Sequence, residues 1–522
     1  MAVLQVESLK FIANRILFKD VTFTFGAGDR IGLVGNNGAG KSTLLRCLAG
    51  LAEPTEGAVR MSKVAEIGYV GQQSDDRGAD MSLRTFAVSA IPADDLHSLA
   101  WRADLLLERF GADDILRETP FRQLSGGWQR IGQIIRALTP GPDVLLLDEP
   151  TNSLDLEKTL RLEAVLDEEF AQTAMVIVSH DRRFLDRTTK TTLFLRSTGT
   201  RLIRDSFSRA REQIDALDHA DQMKADRVRR EADRLKRSAH NLRQIGISNF
   251  SDKSLRKSAQ IQKKAASMLE ALPESAPSDD RLVALASQVH TRKPVLLIEK
   301  ADIGPPQARR LVRIDKLHLT PGERLVVLGR NGSGKTTFVT AIRDSLRSGS
   351  AQDSTGIRVH AAAVIGATSQ HMTHLPTGES LHEFVASTLK VGNQRAPGLL
   401  AEAGFAFERQ TARIGEISAG ERARLAFLAL RQIRPTLFLL DEPTNDLDIA
   451  GQEALETALR AQDAVAVLVS HDRAFVAAVG TRFIVLEAGK AFDIGAPDLF
   501  YRSLEEGVPV TALVPRTQLR AI

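Results

Sequence analysis

The chain has little of several things that define common protein classes. Cysteine occurs once in 522 residues, at Cys47, so neither an intrachain disulfide nor a cysteine-based zinc or iron–sulfur site can form. Aromatic residues make up 5% of the chain, which argues against a nucleic-acid surface built on base stacking. The formal net charge is only +4, so any strongly basic surface must be local.

Long apolar runs are also lacking. No stretch approaches the roughly 18 apolar residues that a membrane-spanning helix needs, and the opening MAVLQVESLKF has no signal-peptide pattern. We therefore expect a cytoplasmic protein without membrane insertion, to which another chain would have to supply any transport channel. The length and the 43% hydrophobic content are sufficient for two full cores and a connector.

What the chain does have is an internal repeat. GNNGAGKST at 35–43 returns as GRNGSGKTT at 329–337, and DEPTNSLD at 148–155 returns as DEPTNDLD at 441–448. VIVSHDRRF and VLVSHDRAF form a third pair, and the offset between the copies stays between 291 and 294 residues. The chain is therefore a duplicated module of about 200 residues with an insert between the copies.

Short, uninterrupted apolar runs precede these motifs in both copies. Such runs are typical of strands in a parallel sheet that is buried on both faces. Each copy is therefore predicted to be an α/β domain. The predicted strands are 31–34, 144–147, 175–178, 325–328, 437–440 and 465–469.

Each copy contains a G-x-x-x-x-G-K-[ST] loop between a predicted strand and a predicted helix. Its glycines allow backbone N–H groups to point at phosphate oxygens, and the helix N-terminus adds positive charge. Lys41 and Lys335 are expected to reach the β- and γ-phosphates of ATP, and Ser42 and Thr336 to bind Mg²⁺. The predicted nucleotide-binding residues of the two loops are Gly35, Asn36, Asn37, Gly38, Ala39, Gly40, Lys41, Ser42, Thr43, Gly329, Arg330, Asn331, Gly332, Ser333, Gly334, Lys335, Thr336 and Thr337.

An Asp–Glu pair follows an apolar strand in each copy. Asp148 and Asp441 are predicted to hold Mg²⁺ or its water shell. Glu149 and Glu442 follow directly and are predicted to polarise the attacking water.

Two further side chains of each copy are expected at the γ-phosphate. A lone histidine is more often structural, but in this register His180 and His471 are predicted to contact the γ-phosphate and position the water. Gln72 and Gln370 are predicted to contact Mg²⁺ and water, with Gln73 an equally plausible choice in the first copy.

LSGGWQR at 124–130 and ISAGERAR at 417–424 place serine and glycine before a helical pattern, which is an anion site in many proteins. Together with the other motifs they make the chain similar to the ATP-binding-cassette (ABC) superfamily over nearly its whole length. The resemblance implies two domains docked head to tail, with ATP between the P-loop of one and the signature helix of the other.

The resemblance thus implies two composite sites. One would combine the first P-loop, Asp148, Glu149 and His180 with Ser418 and Gly420. The other would combine the second P-loop, Asp441, Glu442 and His471 with Ser125, Gly126 and Gly127. It also makes Asp155 and Asp448 the aspartates of the D-loops.

Two positions depart from the family pattern. Ala419 stands where the family often has glycine. At the adenine-stacking position, Phe11 and Ile12 compete in the first copy, and the second copy has no convincing aromatic residue.

The insert at 206–272 holds fifteen basic and nine acidic residues, so the basic charge of the protein is concentrated there. Apolar residues recur at alternating steps of three and four, which predicts an antiparallel helical hairpin with an alanine-lined seam. We expect a first helix over about 206–243, roughly 55 Å long, and a turn within 245–252 around Gly246 and Asn249. The predicted seam residues are Ala225, Val228, Ala232, Leu235, Ala239, Leu242, Ser258, Ile261, Ala265, Met268 and Leu272.

DEPTN in both copies and this insert resemble the ABC-F branch of the superfamily. That resemblance implies a ribosome-associated factor whose linker, 206–272, meets rRNA and the backbone of the P-site tRNA near the tRNA exit site, as a translation factor or in antibiotic resistance. The tip, 245–251, would be the closest approach. Lysine and arginine on a helix bind RNA phosphates without reading sequence. The alternative interpretation of the insert is a solvated coiled-coil spacer.

The predicted organisation is a first ABC ATPase domain at 1–205, a helical-hairpin linker at 206–290, a second ABC ATPase domain at 291–505 and a short tail at 506–522, in a monomer with intramolecular pairing. The main alternative function is a tandem ATPase subunit of a membrane importer, which leaves the basic hairpin unexplained. A DNA-repair or chromosome ATPase would usually need zinc-binding cysteines or very long coiled coils, and neither is present.

Overall fold

The computed structural model describes residues 2–62, 65–72, 78–196, 199–271, 285, 293–304, 310–347, 356–368, 375–514 and 520–522. Its strands are β1 Ala2–Ile12, β2 Ile16–Gly26, β3 Arg30–Val34, β4 Glu56–Met61, β5 Ile67–Val70, β6 Val144–Asp148, β7 Ala174–Val178, β8 Thr191–Phe194, β9 Arg201–Ile203, β10 Leu296–Ile303, β11 Val312–Leu319, β12 Arg324–Leu328, β13 Ile357–Val359, β14 Ile365–Thr368, β15 Leu437–Asp441, β16 Val465–Val469, β17 Arg482–Glu487, β18 Lys490–Ile494 and β19 Arg520–Ala521.

The helices alternate with these strands in both copies of the repeat. They are α1 Lys41–Leu48, α2 Leu83–Val88, α3 Leu96–Phe110, α4 Asp114–Glu118, α5 Gly126–Leu138, α6 Leu156–Glu168, α7 Arg182–Thr188, α8 Phe207–Ser248, α9 Asp252–Glu270, α10 Lys335–Arg347, α11 Leu381–Glu383, α12 Ala396–Glu402, α13 Ala419–Ile433, α14 Ile449–Arg460, α15 Arg473–Val479, α16 Asp498–Glu505 and α17 Val510–Leu513.

The chain divides into two compact units. The first comprises Met1–Ala65, Ala174–Ile177 and Thr189–Pro277, and the second comprises Glu66–Thr173, Val178–Thr188 and Ser278–Ile522. These units do not follow the predicted boundaries at 205, 290 and 505, which stay predictions about the repeat.

The first unit combines two groups of paired strands with a long helical hairpin. β1 pairs antiparallel with both β2 and β4, while β3 pairs parallel with β8, which pairs antiparallel with β9. Phe18, Val21 and Phe25 on β2 are buried, as are Leu4, Val6 and Leu9 on β1, so the antiparallel sheet packs one face inward.

The linker hairpin of the first unit is longer than predicted. α8 runs to Ser248, 42 residues or about 63 Å, and the turn is confined to 249–251, where Phe250 adopts a φ of 48°. The expected turn at Gly246 is therefore wrong, because Ile245 accepts a backbone hydrogen bond from Asn249 and continues the helix.

The alanine-lined seam is confirmed within the described residues. Ala232, Ala239 and Ala265 are fully buried, and the Ser258 hydroxyl donates a 2.7 Å hydrogen bond to the Ala239 carbonyl across the hairpin. Close approach of this kind requires small side chains at the contact. The predicted Leu272 lies outside the described residues.

The second unit contains a sheet of strand order β13-β10-β11-β18-β17-β12-β16-β15-β14, with β19 added beside β18. β12, β15 and β16, which the apolar runs predicted, pair in parallel with one another or with β14 and β17. Alternate residues of one strand enter different apolar clusters: Leu437 and Leu439 pack in one and Phe438 and Leu440 in the other. Both faces of this sheet are therefore covered.

β5 and β6 also pair in parallel in this unit. Over the described part of the chain, no helix combines the length and the apolar character needed to cross a bilayer.

Candidate functional site: a P-loop beside the D-loop of the other copy

The second P-loop lies between β12 and α10. Gly332 and Gly334 have φ values of 76° and 99°, which an L side chain rarely adopts, and a Cβ added at Gly334 would lie 3.3 Å from Leu311. The Lys335 ammonium donates hydrogen bonds to the carbonyls of Gly329 at 2.8 Å and Arg330 at 3.2 Å. Burial lowers the pKa of Lys335, while nearby carboxylates, with Glu442 first, oppose the shift.

Asp441 ends β15 and is buried. Its carboxylate accepts a hydrogen bond from the Thr336 hydroxyl, although burial still raises its pKa. The two predicted Mg²⁺ ligands of this copy thus lie together, a hydroxyl beside a carboxylate, which is the oxygen-rich ligand set that Mg²⁺ prefers.

Glu442 and His471 form a second contact pair. The His471 backbone N–H donates a 3.2 Å hydrogen bond to Glu442 Oε2, and the ring Nε2 lies 3.3 Å from Oε1. Burial raises the pKa of Glu442, and His471 opposes the rise. Glu442 is held at a φ of 49°, a left-handed conformation that costs energy and is common at functional sites.

The same arrangement recurs in the first copy of the repeat. The His180 backbone N–H donates a 3.2 Å hydrogen bond to Glu149 Oε2, the ring Nε2 lies 3.2 Å from Oε1, and Glu149 has a φ of 52°. Asp148, at the end of β6, is buried. The predicted Glu and His therefore have equivalent local geometry in both copies, and the predicted Asp is buried at the end of a strand in each.

Residues of the first copy reach the second P-loop within this same unit. Asn331 Nδ2 donates a 2.9 Å hydrogen bond to Asp155 Oδ2, and the Arg330 guanidinium lies 3.2 Å from Glu157. Burial lowers the pKa of Lys335, and the Asp155 carboxylate is one of the charges that oppose this shift. The predicted D-loop aspartate is thus beside the P-loop of the other copy.

The signature segment that begins α5 lies against this D-loop. A Cβ added at Gly127 would lie 2.9 Å from the Ser153 carbonyl oxygen, and one at Gly126 would lie 3.7 Å from Ser153 Cβ. Only glycine leaves room for this approach at 127. Gly126 and Gly127 therefore lie against Ser153, two residues before the Asp155 that contacts the second P-loop.

The first P-loop belongs to the other unit and has the same internal geometry. Lys41 donates hydrogen bonds to the carbonyls of Gly35 at 2.7 Å and Asn36 at 3.3 Å, and Gly38 and Gly40 have φ values of 77° and 93°. The Arg15 guanidinium donates a 3.3 Å hydrogen bond to the Gly38 carbonyl. The combination of this loop with Ser418 and Gly420 stays a prediction.

The remaining predicted site residues are the glutamines and the candidates for adenine stacking. Gln72 is exposed at a bend, whereas Gln73 and Gln370 lie outside the described residues. Phe11 packs against buried Phe18 at a ring distance of 6.0 Å, and Ile12 is 41% exposed.

Sequence reasoning missed Arg130. This residue of α5 is buried, and its guanidinium donates hydrogen bonds to the carbonyls of Gly71 at 2.6 Å, Glu149 at 3.0 Å and Asp148. It therefore ties the signature helix to the Asp–Glu pair and to the loop that carries Gln72. An arginine five residues after Ser125 was a signal, but only the fold reveals that its partners are backbone carbonyls.

Comparisons with known proteins agree with this geometry. A family model described as "ABC transporter" matches residues 18–152 and 312–445. The energy-dependent translational throttle protein EttA of Escherichia coli K12 is 29% identical over 90% of this chain and 89% of its own. The probable ATP-binding protein YbiT of Escherichia coli O157:H7 is 28% identical over 92% of this chain and 95% of its own.

Among solved structures, the complex of the archaeal ribosomal stalk protein aP1 with the archaeal ribosome recycling factor aABCE1 matches with a TM-score of 0.65 at 17% identity, covering 99% of this chain and 95% of that one. At this identity the likeness concerns the fold alone. The predicted fold class, two tandem α/β nucleotide-binding domains with a helical region between them, is confirmed.

Proposed function

We propose, from the premise that this chain belongs to the ABC transporter family, that it is a cytoplasmic twin-cassette ATPase of the ABC-F branch that acts on the ribosome through its linker hairpin. ATP hydrolysis itself follows from the two matched ABC domains and the ATP-binding relatives. The observation that carries the ATPase part of the proposal is the hydrogen bond between Asp155 and Asn331, which fits ATP sites assembled from both copies.

Within the second P-loop site, each side chain has a role that suits its environment. Lys335 would leave its loop carbonyls to bind the β- and γ-phosphates, and the glycine-lined turn would present N–H groups to the same oxygens. Glu442, whose pKa is raised by burial, would orient and polarise the attacking water. His471 would fix Glu442 and contact the γ-phosphate, while Ser125 and Gly127 would close the site from the other copy.

The hydroxyl and carboxylate of Thr336 and Asp441 fit a Mg²⁺ ion bound together with the nucleotide. In the first copy the same ligands would be Ser42 and Asp148. Gln72 would be a further contact in the first copy and Gln370 in the second. The ion would neutralise charge on the β- and γ-phosphates during transfer to water.

The charge of the linker and the apolar character of its tip support the proposal of a ribosomal partner. Long stretches of α8 and α9 are exposed and carry the excess of lysine and arginine, which suits an RNA backbone. The tip presents apolar side chains instead: Ile247 is 60% exposed and Phe250 is 96% exposed. A basic shaft with an apolar tip fits contacts with rRNA and the backbone of the P-site tRNA along the shaft.

The printed name of one similar protein points the same way, since EttA is called an energy-dependent translational throttle protein. ATP binding would close the two copies and bring the hairpin into the region of the tRNA exit site. Hydrolysis would open them and release the protein, either in ordinary translation or in ribosome protection against an antibiotic.

Ribosome co-sedimentation of Glu149→Gln/Glu442→Gln with ATP tests the proposal. Loss of both carboxylates should slow hydrolysis by about 10²–10⁴-fold and hold the protein on ribosomes, whereas ADP should release it. A linker control, Arg229→Gln/Arg230→Gln/Arg234→Gln in the same background, should bind ATP equally well and sediment less with ribosomes.

Two results would contradict the ribosomal role. The first is a trapped protein that binds ATP and stays off ribosomes. The second is sedimentation that the linker control leaves unchanged, since this would assign binding to another surface.

A further inference from the structure

A second set of charged residues connects the copies of the repeat away from the P-loop. Glu163, Asp181 and Arg182 of the first copy recur as Glu456, Asp472 and Arg473 of the second, at offsets of 293, 291 and 291 residues. These offsets match those of the ATP-site motifs, so the set was duplicated with them. All six residues belong to the second compact unit.

Each arginine pairs with acids of the opposite copy. Arg473 binds Glu163 through both terminal nitrogens and lies 3.7 Å from Asp181. Arg182 binds Glu456 and lies 3.8 Å from Asp472. The side chains of Arg473 and Glu163 are each only 5% exposed, so these pairs are shielded from solvent and salt.

The two aspartates directly follow the histidines of the ATP sites. Asp472 Oδ1 accepts the backbone N–H groups of Ala474 and Phe475 at 2.9 Å, which begin α15, and Asp181 Oδ1 accepts that of Phe184 at 2.9 Å. The other carboxylate oxygen of each faces the arginine of the opposite copy. Each aspartate therefore joins the loop that carries its own histidine to the other copy. These two segments, 180–181 and 471–472, are called the histidine loops.

The contacts form one continuous route between the two glutamates. Glu442 contacts His471, which precedes Asp472, and Asp472 faces Arg182. Arg182 follows Asp181 and His180, and His180 contacts Glu149. A displacement of one histidine by the γ-phosphate would move an aspartate and, through a buried arginine, the opposite histidine loop.

We propose that Arg182 and Arg473 are positioning residues that couple the two ATP sites, so that occupancy at one histidine promotes closure at the other. This rests on the proposed roles of His180 and His471 but not on the ribosome. The device explains why the ion pairs lie beside the histidines: an ion pair that only joined the copies could lie anywhere in the interface.

The test measures ATP hydrolysis by the whole chain, without ribosomes, as a function of ATP concentration. Two coupled sites should give a Hill coefficient well above one, up to about 2. Arg182→Met/Glu456→Met removes a buried pair without leaving either partner charged, and it should lower the coefficient to about 1. Arg182→Lys keeps the charge and should retain most of the cooperativity.

Arg187→Met is the matched control, because Arg187 also joins the copies, through Glu163 and Glu505, but is 52% exposed and touches no histidine loop. It should leave the Hill coefficient unchanged. Thermal unfolding of each variant separates loss of coupling from loss of folding.

A wild-type Hill coefficient of one, or a folded Arg182→Met/Glu456→Met that stays as cooperative as wild type, overturns the proposal. Neither result bears on ribosome binding, which the co-sedimentation experiment measures separately.

Discussion

The signature segments of the two copies begin their helices in different ways. Ser418 forms a capping box with Glu421, whose carboxylate accepts hydrogen bonds from the Ser418 N–H at 2.8 Å and hydroxyl at 2.9 Å. Ser125 makes no such cap bond with α5, since Trp128 occupies the equivalent position and packs beneath the Lys158 ammonium. The Ser125 hydroxyl is thus not used to cap its own helix, whereas the Ser418 hydroxyl is.

A second difference lies five residues further on. Arg130 of the first copy ties α5 to three carbonyls, whereas the equivalent Ala423 is a fully buried small residue of α13. The copies therefore share the residues predicted to meet the nucleotide and differ in those that hold the signature helix. The residues predicted to act in the ATP sites are thus more alike in the two copies than the residues that hold the signature helices.

Substitution of Arg130, which holds only one of the two signature helices, should have the largest effect on the free energy of unfolding. Arg130→Met leaves carbonyls of Gly71, Asp148 and Glu149 without their donor in a buried place, so we expect a loss of about 3 kcal/mol in the free energy of unfolding. Urea denaturation measures it. Arg122→Met, which removes an exposed pair with Asp80, should cost under about 0.5 kcal/mol. Similar losses for both would show that the Arg130 contacts are dispensable.

Asp472 should make the stability of the chain depend on pH. Burial raises the pKa of its carboxyl to about 6 from 3.8; Arg182 opposes the rise, and Asp181 and Glu456 add to it. The folded chain thus takes up this proton more readily than the unfolded chain, and stability increases as pH falls through 6.

Relative to Asp472→Asn, which cannot titrate, the wild type should therefore gain about 1.3 kcal/mol in unfolding free energy between pH 7 and pH 5. Denaturation of both proteins at the two pH values measures the change. A difference between them that does not vary with pH would refute the assignment.

Substitution of Glu421 should have the smallest effect on the free energy of unfolding. Glu421→Ala breaks the capping box, which should cost about 1 kcal/mol of stability, and it frees the Ser418 hydroxyl and removes a negative charge from this helix start. If Ser418 serves the first P-loop as proposed, ATP should then bind more tightly there. Isothermal titration in a Lys335→Ala background isolates that site, and unchanged or weaker binding would contradict the proposed pairing.

Much of the fold could be predicted from local patterns. The six apolar runs are strands in the structure, because a strand that is buried on both faces is apolar along its whole length and is therefore visible in the sequence. The seam alanines were predicted from apolar residues that recur at steps of three and four. The end of α8 could not be predicted in this way. Gly246 is compatible with a turn, but the neighbouring backbone continued its hydrogen bonds, and Phe250 took the left-handed position that glycine or asparagine would usually fill.

The sequence by itself determined the two P-loops, the Asp–Glu pairs and the histidines, because nucleotide chemistry demands particular residues at short, fixed spacings. Only the tertiary structure decided that Arg130 serves three carbonyls, that Ser418 and Ser125 differ in their bonds, and that Arg182 and Arg473 cross between the copies. These contacts join residues up to 310 positions apart. Tertiary packing determines which residues meet in these contacts, and the local spacing of residues along the sequence does not.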